Sequence, residues 1–405
     1  MAMGEGFTAP VEGIAAGGAG IARFEGRPVF VELTAPQDTV KARITAEHRT
    51  WARGELIEVL DPSPLRVTPP CPLYGRCGGC SLQHIDYKAQ IAAKTTILKD
   101  AFTRIGGMEA PAPHVITANP WEYRNRVQFH CTSHGSHTSG GAAPLAGFKS
   151  RKSDDVVPLS DCPVADPGIR AALQRAAIKA PHDKNRFTVY SRGDLFLTEG
   201  GMERGRVTIC GKNLVMDAGV FFQSNGALLE TLIADILAIA EEADPELPAV
   251  DLYCGVGTFA FFLKDRFHRI DLVEENKAAL TLARENAGTG GKEYYALKDE
   301  AWARLQLAGK QAGKNGAGKR DAAYSFIIAD PPRQGLSPGL KRALTGGAGT
   351  GALLTQLLAY VSCDPAALAR DSRELTAGGY TLTELRLYDF YPQTAHIESL
   401  AVFRR

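Results

Sequence analysis

Hydrophobic and polar residues follow two different patterns along this chain of 405 residues. In the first part the apolar positions form short runs, which are VFVEL (29–33), TVKARI (39–44) and GELIEVL (54–60). These runs are rich in β-branched residues and are separated by Gly and Pro, with no helical period between them. Such runs are typical of strands, so they predict a small β-barrel over residues 1–62.

A mixed pattern follows over residues 63–212. The stretch DYKAQIAAKTTILKDAFTRIGG (86–107) is predicted to be a helix that ends at its two glycines. Its apolar residues recur near one face: Ile91, Leu98, Phe102 and Ile105. Two strands are expected next, in YRNRVQFHCTS and LAGFKSRK, joined by a hairpin loop at 134–144.

From residue 213 to 405 the pattern alternates between apolar strand-like runs and helical periods. The strand-like runs are AVDLYCG, RIDLVEEN, YSFIIADPP and LLTQLLAYVSC. This alternation predicts a doubly wound α/β domain with a parallel sheet, similar to a Rossmann fold. The Gly- and Lys-rich stretch at 307–321 reads as a surface loop.

Composition narrows the class of protein without naming a partner. The chain is 44% hydrophobic and 22% charged, which is typical of a soluble globular protein, and its longest apolar runs are too short to span a membrane. Its first residues show no basic flank and no apolar core, so we expect a cytoplasmic protein, and a monomer. The net charge of +1 does not decide whether the partner is a nucleic acid.

The run DLYCGVGTF (251–259) predicts a strand, a glycine turn and a helix, the arrangement that binds ligands at the carboxyl end of a first strand. The next strand ends in Glu274, whose carboxylate can accept hydrogen bonds from ribose hydroxyls. The full fingerprint for a dinucleotide pyrophosphate is missing, since Phe259 and Ala260 follow the turn. These features favour a ribose-containing cofactor without a pyrophosphate, with S-adenosylmethionine as the leading candidate. A solvated carboxylate after a structural turn is the alternative.

Two further strands are predicted to end in reactive side chains. IIADPPRQG (327–335) delivers Asp330 to the same edge of the sheet, and LLAYVSCDPAALARD delivers Cys363 to a helix start. Asp364 is expected to cap that helix, with Pro365 in its first position. A helix N-terminus favours thiolate over thiol, so Cys363 is a candidate nucleophile.

Glu398 lies in the apolar sequence HIESLAVF, where burial would raise the pKa of its carboxyl and suit it to accept a proton. The sequence does not separate this from a half-exposed strand residue. Cys131, Cys210 and Cys254 each neighbour apolar strand residues and are assigned to core packing.

The segment CPLYGRCGGC places Cys71, Cys77 and Cys80 close together, in a chain with eight cysteines. Only one close pair is present, whereas zinc ribbons usually have two, and Cys162 in LSDCPV offers a distant fourth ligand. Spacing favours an iron–sulfur cluster over zinc without excluding zinc. The two glycines would let backbone amides approach the sulfurs.

Taken together, these motifs resemble those of the RNA 5-methyluridine methyltransferases, in order and over nearly the whole chain. The motifs are FFQSN, DLYCGVGTF, LVEEN, DPPRQG, YVSCDPAALARD and PQTAHIES, preceded by CPLYGRCGGCSLQ and YRNRVQFH. In addition, residues 17–44 resemble the TRAM domain, an OB-like barrel found on RNA-modifying enzymes. The resemblance implies three domains, which are a TRAM-like barrel (1–62), a central iron–sulfur and RNA-binding domain (63–212) and an S-adenosylmethionine-dependent methyltransferase domain (213–405).

The resemblance also implies a role for each matching residue. Cys363 would add to carbon 6 of a uracil, and Glu398 would take the proton from carbon 5 after methyl transfer. Contacts to S-adenosylmethionine are implied for Gln223, Tyr253, Thr258, Glu274 and Asp330. Ligands to a four-iron–four-sulfur cluster are implied for Cys71, Cys77, Cys80 and Cys162. The sequence departs from the family pattern in two places. Thr258 stands where some members have Asn, at an implied cofactor contact, and Asp364 stands where Asn is more usual but still caps the helix.

Three alternatives remain for the activity. The substrate is expected to be ribosomal RNA, with 23S rRNA first, while the T-loop of transfer RNA is the alternative. An RNA 5-methylcytosine methyltransferase would need a second cysteine near the DPP motif, where Arg333 stands instead. A non-catalytic iron–sulfur RNA-binding module would be expected to lack reactive residues, yet Cys363, Glu398 and Asp330 are all present.

Overall fold

The computed structural model describes residues 3–131, 146–179, 181, 184–308, 322–346 and 352–405. Its backbone forms two compact units. The first unit comprises Met1–Ile97, Asn119–Val189 and Asp389–His396, and the second comprises Leu98–Ala118, Tyr190–Tyr388 and Ile397–Arg405. Division into three domains at residues 62 and 212 stays a prediction. The loop predicted at 134–144 lies outside the described residues, as does 309–321 of the loop predicted at 307–321, whose first two residues are helical.

Five strands at the start of the chain close into a barrel, in the order β1-β2-β3-β5-β4. They are β1 (Gly6–Ile14), β2 (Gly20–Phe24), β3 (Arg27–Val31), β4 (Thr39–Glu47) and β5 (Ala52–Asp61). Buried and exposed residues alternate along β1 and β4, so that one face of each strand fills the interior. The barrel that the sequence predicted is therefore confirmed, with two strands in front of the three that its apolar runs revealed.

The barrel core consists mainly of small and β-branched side chains, which suits a narrow interior. Its members are Phe7, Ala9, Ala22, Val29, Val31, Ala42, Ile44 and Ala52. Glu25 and Gly26 both have positive φ angles, of 48° and 76°, in the turn between β2 and β3. A two-residue hairpin of this kind matches the twist of its strands, which fixes their register.

The middle of the chain contains one long helix and short strands. Its elements are α1 (Tyr87–Ala101), β6 (His114–Ile116), β7 (Arg126–Cys131), β8 (Ala146–Lys149), β9 (Val156–Pro158), α2 (Pro167–Gln174), β10 (Arg186–Arg192) and β11 (Leu195–Thr198). In the first unit, β7, β8 and β9 form an antiparallel sheet with the start of β10 beside β7.

The helix predicted at 86–107 changes type before it ends. After α1 the chain makes a π-helical turn over Phe102–Gly106, and Gly107 caps it in the left-handed region with a φ of 61°. Leu98 and Phe102 are buried as predicted, but Ile105 is 44% exposed. The wider π-helical turn rotates the later residue away from the face that a regular α-helix would give it.

The second unit is built around an eight-stranded sheet in the order β16-β15-β14-β17-β18-β20-β19-β6. The strands that follow β11 in the chain are β12 (Arg204–Ile209), β13 (Lys212–Asp217), β14 (Ala249–Leu252), β15 (Ile270–Val273), β16 (Lys292–Tyr295), β17 (Ala322–Ala329), β18 (Leu353–Ser362), β19 (Thr381–Tyr388) and β20 (Glu398–Arg404). The first five strands of the sheet are parallel, as predicted, and β20 runs antiparallel between β18 and β19.

In the described part of the second unit, six helices alternate with these strands. They are α3 (Gly226–Ala240), α4 (Thr258–Leu263), α5 (Lys277–Ala287), α6 (Asp299–Ala308), α7 (Pro338–Thr345) and α8 (Pro365–Ala377). The doubly wound architecture expected from the alternating pattern is confirmed. The central strands β14 and β15 are buried along their whole length, as parallel strands covered on both faces are.

One cysteine assigned to the core is not there. Cys131 and Cys254 are buried, but Cys210 is exposed. Cys210 and Gly211 have φ angles of 46° and 71° in the turn between β12 and β13. A tight turn of this kind projects its side chains into solvent, so the apolar strand residues beside Cys210 gave the wrong prediction. Within the described ranges, no helix is long and apolar enough to cross a membrane.

Candidate active site

A glycine turn follows β14 at the point where the strand order of the sheet reverses. Beyond Leu252 the chain passes through Tyr253, Gly255 and Gly257, with φ angles of 61°, 54° and 76°, before α4 begins at Thr258. A left-handed tyrosine costs about 1 kcal/mol and is found where the fold requires it. Ligands of doubly wound sheets bind at such a reversal, between β14 and β17 in this sheet.

Three carboxyl groups surround this turn. Glu274, which follows β15, accepts hydrogen bonds from the backbone N–H groups of Gly255 at 3.1 Å and Asn276 at 2.7 Å. Asp251, on β14, accepts one from the N–H of Ala260 at 2.9 Å. Asp330 lies directly after β17, and its N–H bonds to the carbonyl of Leu252 at 3.3 Å. The three strand ends therefore present carboxyl groups at one edge of the sheet.

The surroundings of Asp251 and Asp330 disfavour negative charge on their carboxyls. Burial raises the pKa of Asp251 to about 8, the bond from Ala260 opposes this, and the charges of Asp330 and Glu274 raise it further. Burial likewise raises the pKa of Asp330 to about 7, against a hydrogen bond from Gln223. A cationic ligand would relieve this repulsion, while a pyrophosphate would add to it. Asp251 was not among the residues predicted for this site, although an acidic residue inside an apolar strand is a signal for it.

Gln223 comes from the FFQSN motif, just before α3. Its Nε2 donates to Oδ2 of Asp330 at 3.5 Å, a long hydrogen bond. Its Oε1 is buried and has no hydrogen-bond partner within the described residues. The glycine turn after β14 and the carboxyls of Asp251, Glu274 and Asp330 are called the acidic turn below. A ligand that donates a hydrogen bond there would satisfy this buried acceptor. Thr258 is half-buried in the first position of α4.

The hydroxyl of Tyr253 makes a hydrogen bond to a different carboxylate, that of Asp299. Burial, and then the charge and hydrogen bond of Asp299, raise the pKa of Tyr253. Asp299 also accepts from the N–H of Ser337 at 3.1 Å. Of the five residues to which the resemblance gave cofactor contacts, Gln223, Glu274 and Asp330 therefore surround the acidic turn through their side chains, whereas the hydroxyl of Tyr253 faces α6.

Cys363 occupies the position that its motif predicted, between the end of β18 and the start of α8. Asp364 caps that helix by accepting from the N–H of Ala367 at 2.8 Å, and Pro365 is its first residue. Cys363 is partly exposed, so its thiol is not sealed in the core.

Glu398 is brought beside Cys363 by strand pairing. Ser362 and Ser399 are register partners in β18 and β20, which places the residues that adjoin them, Cys363 and Glu398, at the same end of the pair. Glu398 is only 3% exposed, which decides the question of burial that its sequence left open. Burial, and then the charge of Asp330, hold the pKa of Glu398 well above its usual range.

The expected thiolate at Cys363 is not favoured in this structure. Burial raises the pKa of the Cys363 thiol to about 11, and the charges of Glu398 and Asp330 add to the increase. Arg333, from the DPPRQG motif, opposes them. Burial and two carboxyls therefore oppose the thiolate that the start of α8 is predicted to favour, and the thiolate stays a prediction. The same interactions show that Cys363, Glu398 and Asp330 form one electrostatic cluster.

In the first unit, the four cysteines of the predicted metal site line a single cavity. The lining includes Cys71, Cys77, Cys80 and Cys162, together with Gln83 and Arg124. The N–H of Gly79 donates to Sγ of Cys77 at 3.4 Å, as the glycine pair suggested. Burial raises the pKa of Cys80 to about 11 and that of Cys162 to about 12.

The cavity does not have the geometry of a site for a single metal ion. No group of three or more His, Cys, Asp or Glu side chains in the described ranges is arranged to hold one. The four cysteines nevertheless line one cavity. The expectation of an iron–sulfur cluster depends on the four thiols as possible ligands and on the sequence resemblance.

An open groove of about 570 Å³ lies beside this cavity in the first unit, and Gly79, Arg124 and Phe148 line both. The groove is also lined by Lys149, Arg151 and His396, with Glu32 as its one acidic residue among the residues described. Burial, and then the charges of Lys149 and Arg186, lower the pKa of His130 in its wall. The groove is therefore a positively charged surface with an aromatic ring in its wall.

Comparison with known proteins agrees with this architecture. Residues 202–405 match the family model described as tRNA (Uracil-5-)-methyltransferase, and residues 3–57 match the TRAM domain. An uncharacterized RNA methyltransferase of Treponema denticola is 32% identical over 94% of each chain. The 23S rRNA (uracil(1939)-C(5))-methyltransferase RlmD of Acidithiobacillus ferrooxidans is 31% identical over 98% of this chain and 96% of its own.

A solved structure shares the fold of the whole chain. The Pyrococcus abyssi tRNA (uracil-54, C5)-methyltransferase, in complex with S-adenosyl-L-homocysteine, superposes with a TM-score of 0.68 at 21% identity and covers 98% of this chain and 100% of its own. The fold and the site thus define a methyltransferase with an N-terminal TRAM barrel. The chain belongs to the tRNA (uracil-5-)-methyltransferase family and is an RNA (uracil-5-)-methyltransferase.

Proposed function

We propose that this enzyme methylates carbon 5 of a uridine in 23S rRNA, with S-adenosylmethionine as the methyl donor, Cys363 as the nucleophile and Glu398 as the base. The observation that carries the proposal is the pairing of β18 with β20, which brings a partly exposed thiol and a buried carboxyl to one end of two neighbouring strands. Asp330, at the end of β17, joins them in one electrostatic cluster.

These groups suit the chemistry that carbon 5 of uracil requires. Addition of the Cys363 sulfur to carbon 6 forms a carbon–sulfur bond and moves an electron pair toward carbon 5, which is otherwise a poor nucleophile. After methylation, Glu398 takes the proton from carbon 5. The electron pair then restores the 5,6 double bond and expels the Cys363 thiolate. Glu398 then releases its proton to solvent, which returns the enzyme to its starting state.

The chemistry of the acidic turn supports S-adenosylmethionine as the donor. When bound, S-adenosylmethionine supplies a methyl group from a positively charged sulfonium. Asp330, Glu274 and the unmet Oε1 of Gln223 would hold its cationic and hydrogen-bonding groups. Thr258 and Tyr253 are proposed as further contacts from the start of α4 and the glycine turn.

We propose that Cys71, Cys77, Cys80 and Cys162 hold a four-iron–four-sulfur cluster. Four thiols around one cavity are the donor set that such a cluster takes from a protein. Arg124 and the N–H of Gly79 offer the positive charge and hydrogen bond that cluster sulfurs accept. The cluster has no part in the methyl transfer and acts on the structure of this unit.

The groove in the first unit is proposed as the RNA-binding surface, because Arg124, Lys149 and Arg151 offer positive charge to phosphates and Phe148 a ring for a base. The target uridine must leave its stack before Cys363 can reach carbon 6. Lys149→Ala should weaken RNA binding several-fold and reduce the salt dependence by about one phosphate contact. Lys152→Ala, which removes an exposed lysine outside the groove lining, is the matched control.

Ribosomal RNA is proposed over transfer RNA because relatives named 23S rRNA methyltransferases match along the entire chain at 27–31% identity, while the tRNA enzyme of Pyrococcus abyssi shares the fold at 21%. The T-loop of transfer RNA is the second candidate. The test offers tritiated S-adenosylmethionine with 23S rRNA fragments and with unmodified tRNA, and maps the labelled nucleotide. Label in the T-loop would move the target to tRNA, and no label in any uridine would indicate a non-catalytic RNA-binding module.

The domain limits are proposed as 1–62 for the TRAM barrel, 63–212 for the cysteine-containing domain and 213–405 for the methyltransferase domain. The match of residues 3–57 to TRAM and of residues 202–405 to the methyltransferase family supports this division. We also propose a monomeric cytoplasmic enzyme, since its RNA substrate is found there. Sedimentation of the purified protein tests the first point.

A further inference from the structure

The connection between β19 and β20 belongs to the first unit, although both strands belong to the second. It comprises Asp389–His396 and is called the strap below. Its end lies two residues before Glu398. Most of its residues are buried, including Asp389, Gln393 and Thr394. Such a connection is more firmly held than the exposed loops that usually join antiparallel strands.

Helix α1 holds the first half of the strap with a buried ion pair. Nζ of Lys94 donates to Oδ1 of Asp389 at 2.5 Å and to the carbonyl of Tyr391 at 3.0 Å, and the side chains of Lys94 and Asp389 are both fully buried. The hydroxyl of Tyr87 donates to the other carboxylate oxygen of Asp389 at 2.8 Å. A charge buried in this way fixes the position of its partner, because any movement leaves it unpaired.

Gln90, one turn before Lys94 on α1, holds the middle of the strap. Its Nε2 donates to Oε1 of Gln393 at 2.9 Å, and its Oε1 accepts from the N–H of Gln393 at 3.1 Å. Gln393 has a φ of 66°, in the left-handed region, which costs a non-glycine residue about 1 kcal/mol. The two hydrogen bonds hold the strap in a conformation that the free chain would rarely adopt.

The cysteine segment, which is residues 71–82, holds the second half of the strap. Ser81 and Leu82, which directly follow Cys80, both donate their N–H groups to the carbonyl of Gln393 at 3.0 Å. Oγ of Ser81 accepts from the N–H of Ala395 at 3.1 Å. The hydrogen bonds at Ala395 are therefore made three residues before Glu398, by the part of the chain that adjoins the third cysteine.

We propose that Ser81, Gln90 and Lys94 are positioning residues for Glu398, because they hold the strap in place. These three residues of the cysteine segment and α1 are called the seat below. The inference rests on the proposed role of Glu398 as the base. A base must lie within hydrogen-bond reach of the proton that it removes, and a misplacement of about 1 Å slows the step strongly. The seat acts on removal of the proton from carbon 5, and not on addition of Cys363 to carbon 6. It gives the cysteine segment a function in an enzyme whose reaction transfers no electrons.

The experiment separates these two steps with the full-length enzyme. Ser81→Ala, Gln90→Leu and Lys94→Met are mixed with RNA and S-adenosylmethionine under single-turnover conditions and quenched in denaturant. The covalent RNA–protein adduct is then followed on gels. We expect adduct formation within about twofold of wild type and adduct breakdown slowed about tenfold. Lys88→Met and Thr96→Ala alter exposed side chains of α1 and should leave both rates unchanged.

Two results would overturn the proposal. One is wild-type breakdown in Ser81→Ala and Gln90→Leu. The other is an equal loss of formation and breakdown, which indicates general damage. If Lys94→Met does not fold, Ser81→Ala, which removes a single hydroxyl, decides. Glu398→Gln is measured beside them. If Glu398→Gln accumulates adduct but the seat variants do not, the positioning role is wrong and the proposed base stands. If Glu398→Gln accumulates no adduct, the proposed base is wrong, and the positioning role is wrong with it.

Discussion

Ser362 and Ser399 face each other across β18 and β20, and the Ser399 hydroxyl donates to the carbonyl of Ser362 at 3.2 Å. Each is the immediate neighbour of a proposed reactive residue. Because the strands are antiparallel, residues 363 and 398 lie at the same end of the pair. The register of this pair thus brings Cys363 and Glu398, the proposed nucleophile and base, to one end of two strands although they lie far apart in the sequence.

Replacement of the proposed nucleophile should stop the reaction without loss of cofactor binding. Cys363→Ala removes the sulfur proposed to add to carbon 6, and we expect no detectable methylated uridine, with affinity for S-adenosylmethionine within about twofold of wild type, measured by calorimetry. Cys210→Ala is the matched control, because Cys210 is exposed on the turn between β12 and β13. Turnover retained in Cys363→Ala would exclude the cysteine as the nucleophile.

Glu398→Gln preserves the shape of the side chain but cannot accept a proton. Elimination should therefore slow by about 10²-fold or more, and a covalent RNA–protein adduct should accumulate on denaturing gels. Glu293→Gln, on the exposed face of β16, should behave as wild type. Rapid adduct breakdown in Glu398→Gln would assign the proton to another base.

The pH dependence follows from the electrostatic cluster. Burial and neighbouring carboxyls raise the pKa of Cys363 to about 11 and that of Glu398 well above its usual range. Both groups act in their deprotonated forms, so the single-turnover rate should rise as the pH increases from 7 toward 10. Asp330→Asn removes a charge that raises both pKa values and should shift the rising limb to lower pH by about one unit, at saturating S-adenosylmethionine.

Arg333→Met should shift the same limb in the opposite direction. The guanidinium of Arg333 lowers the pKa of Cys363, so its removal makes the thiolate harder to form. Both profiles are measured on enzyme whose thermal unfolding matches that of wild type. Shifts of the same sign in the two variants would show that the profile reports something other than the charge around Cys363.

The cysteine cavity should contain iron in protein purified without oxygen. About four iron atoms per chain and a broad visible absorption band are expected, and Cys80→Ser should lower both. Cys210→Ser should change neither. If the protein instead contains one zinc atom per chain, the cavity is a zinc site, which is the alternative that the cysteine spacing left open.

The linker after the barrel is held by an ion pair that acid should weaken. Asp38 is fully buried; burial alone raises the pKa of its carboxyl, but the hydrogen bonds from Arg66, Ser63 and Ala35 hold it below the usual range. Stability from a lowered pKa is present above the unfolded value and is lost as the pH falls through the folded one. Arg66→Met leaves that carboxylate without its partner and should lower the free energy of unfolding by about 3 kcal/mol at pH 7, measured by urea denaturation. A wild-type value would show that the backbone amides suffice.

Local order was readable from the sequence because its signals are local. Short strand-like runs between Gly and Pro predicted the barrel, and the change of period predicted the doubly wound sheet. The run SCDPAA predicted a strand end, an Asp364 cap and a helix start. The failures had local causes as well. Ile105 and Cys210 were misplaced because a π-helical turn and a tight hairpin depend on backbone geometry that the apolar pattern does not encode.

What the sequence determined by itself was which residues stand at strand ends and which chemistry they carry: a thiol at 363, carboxyls at 330 and 398, and three close cysteines with a distant fourth. Only the tertiary structure decided that Glu398 is buried, that carboxyl neighbours disfavour the Cys363 thiolate, and that Ser81 and α1 hold the strap before the base. The physical reason is that burial and Coulomb interactions depend on distances between residues remote in the chain, which strand order and register set and no local pattern contains.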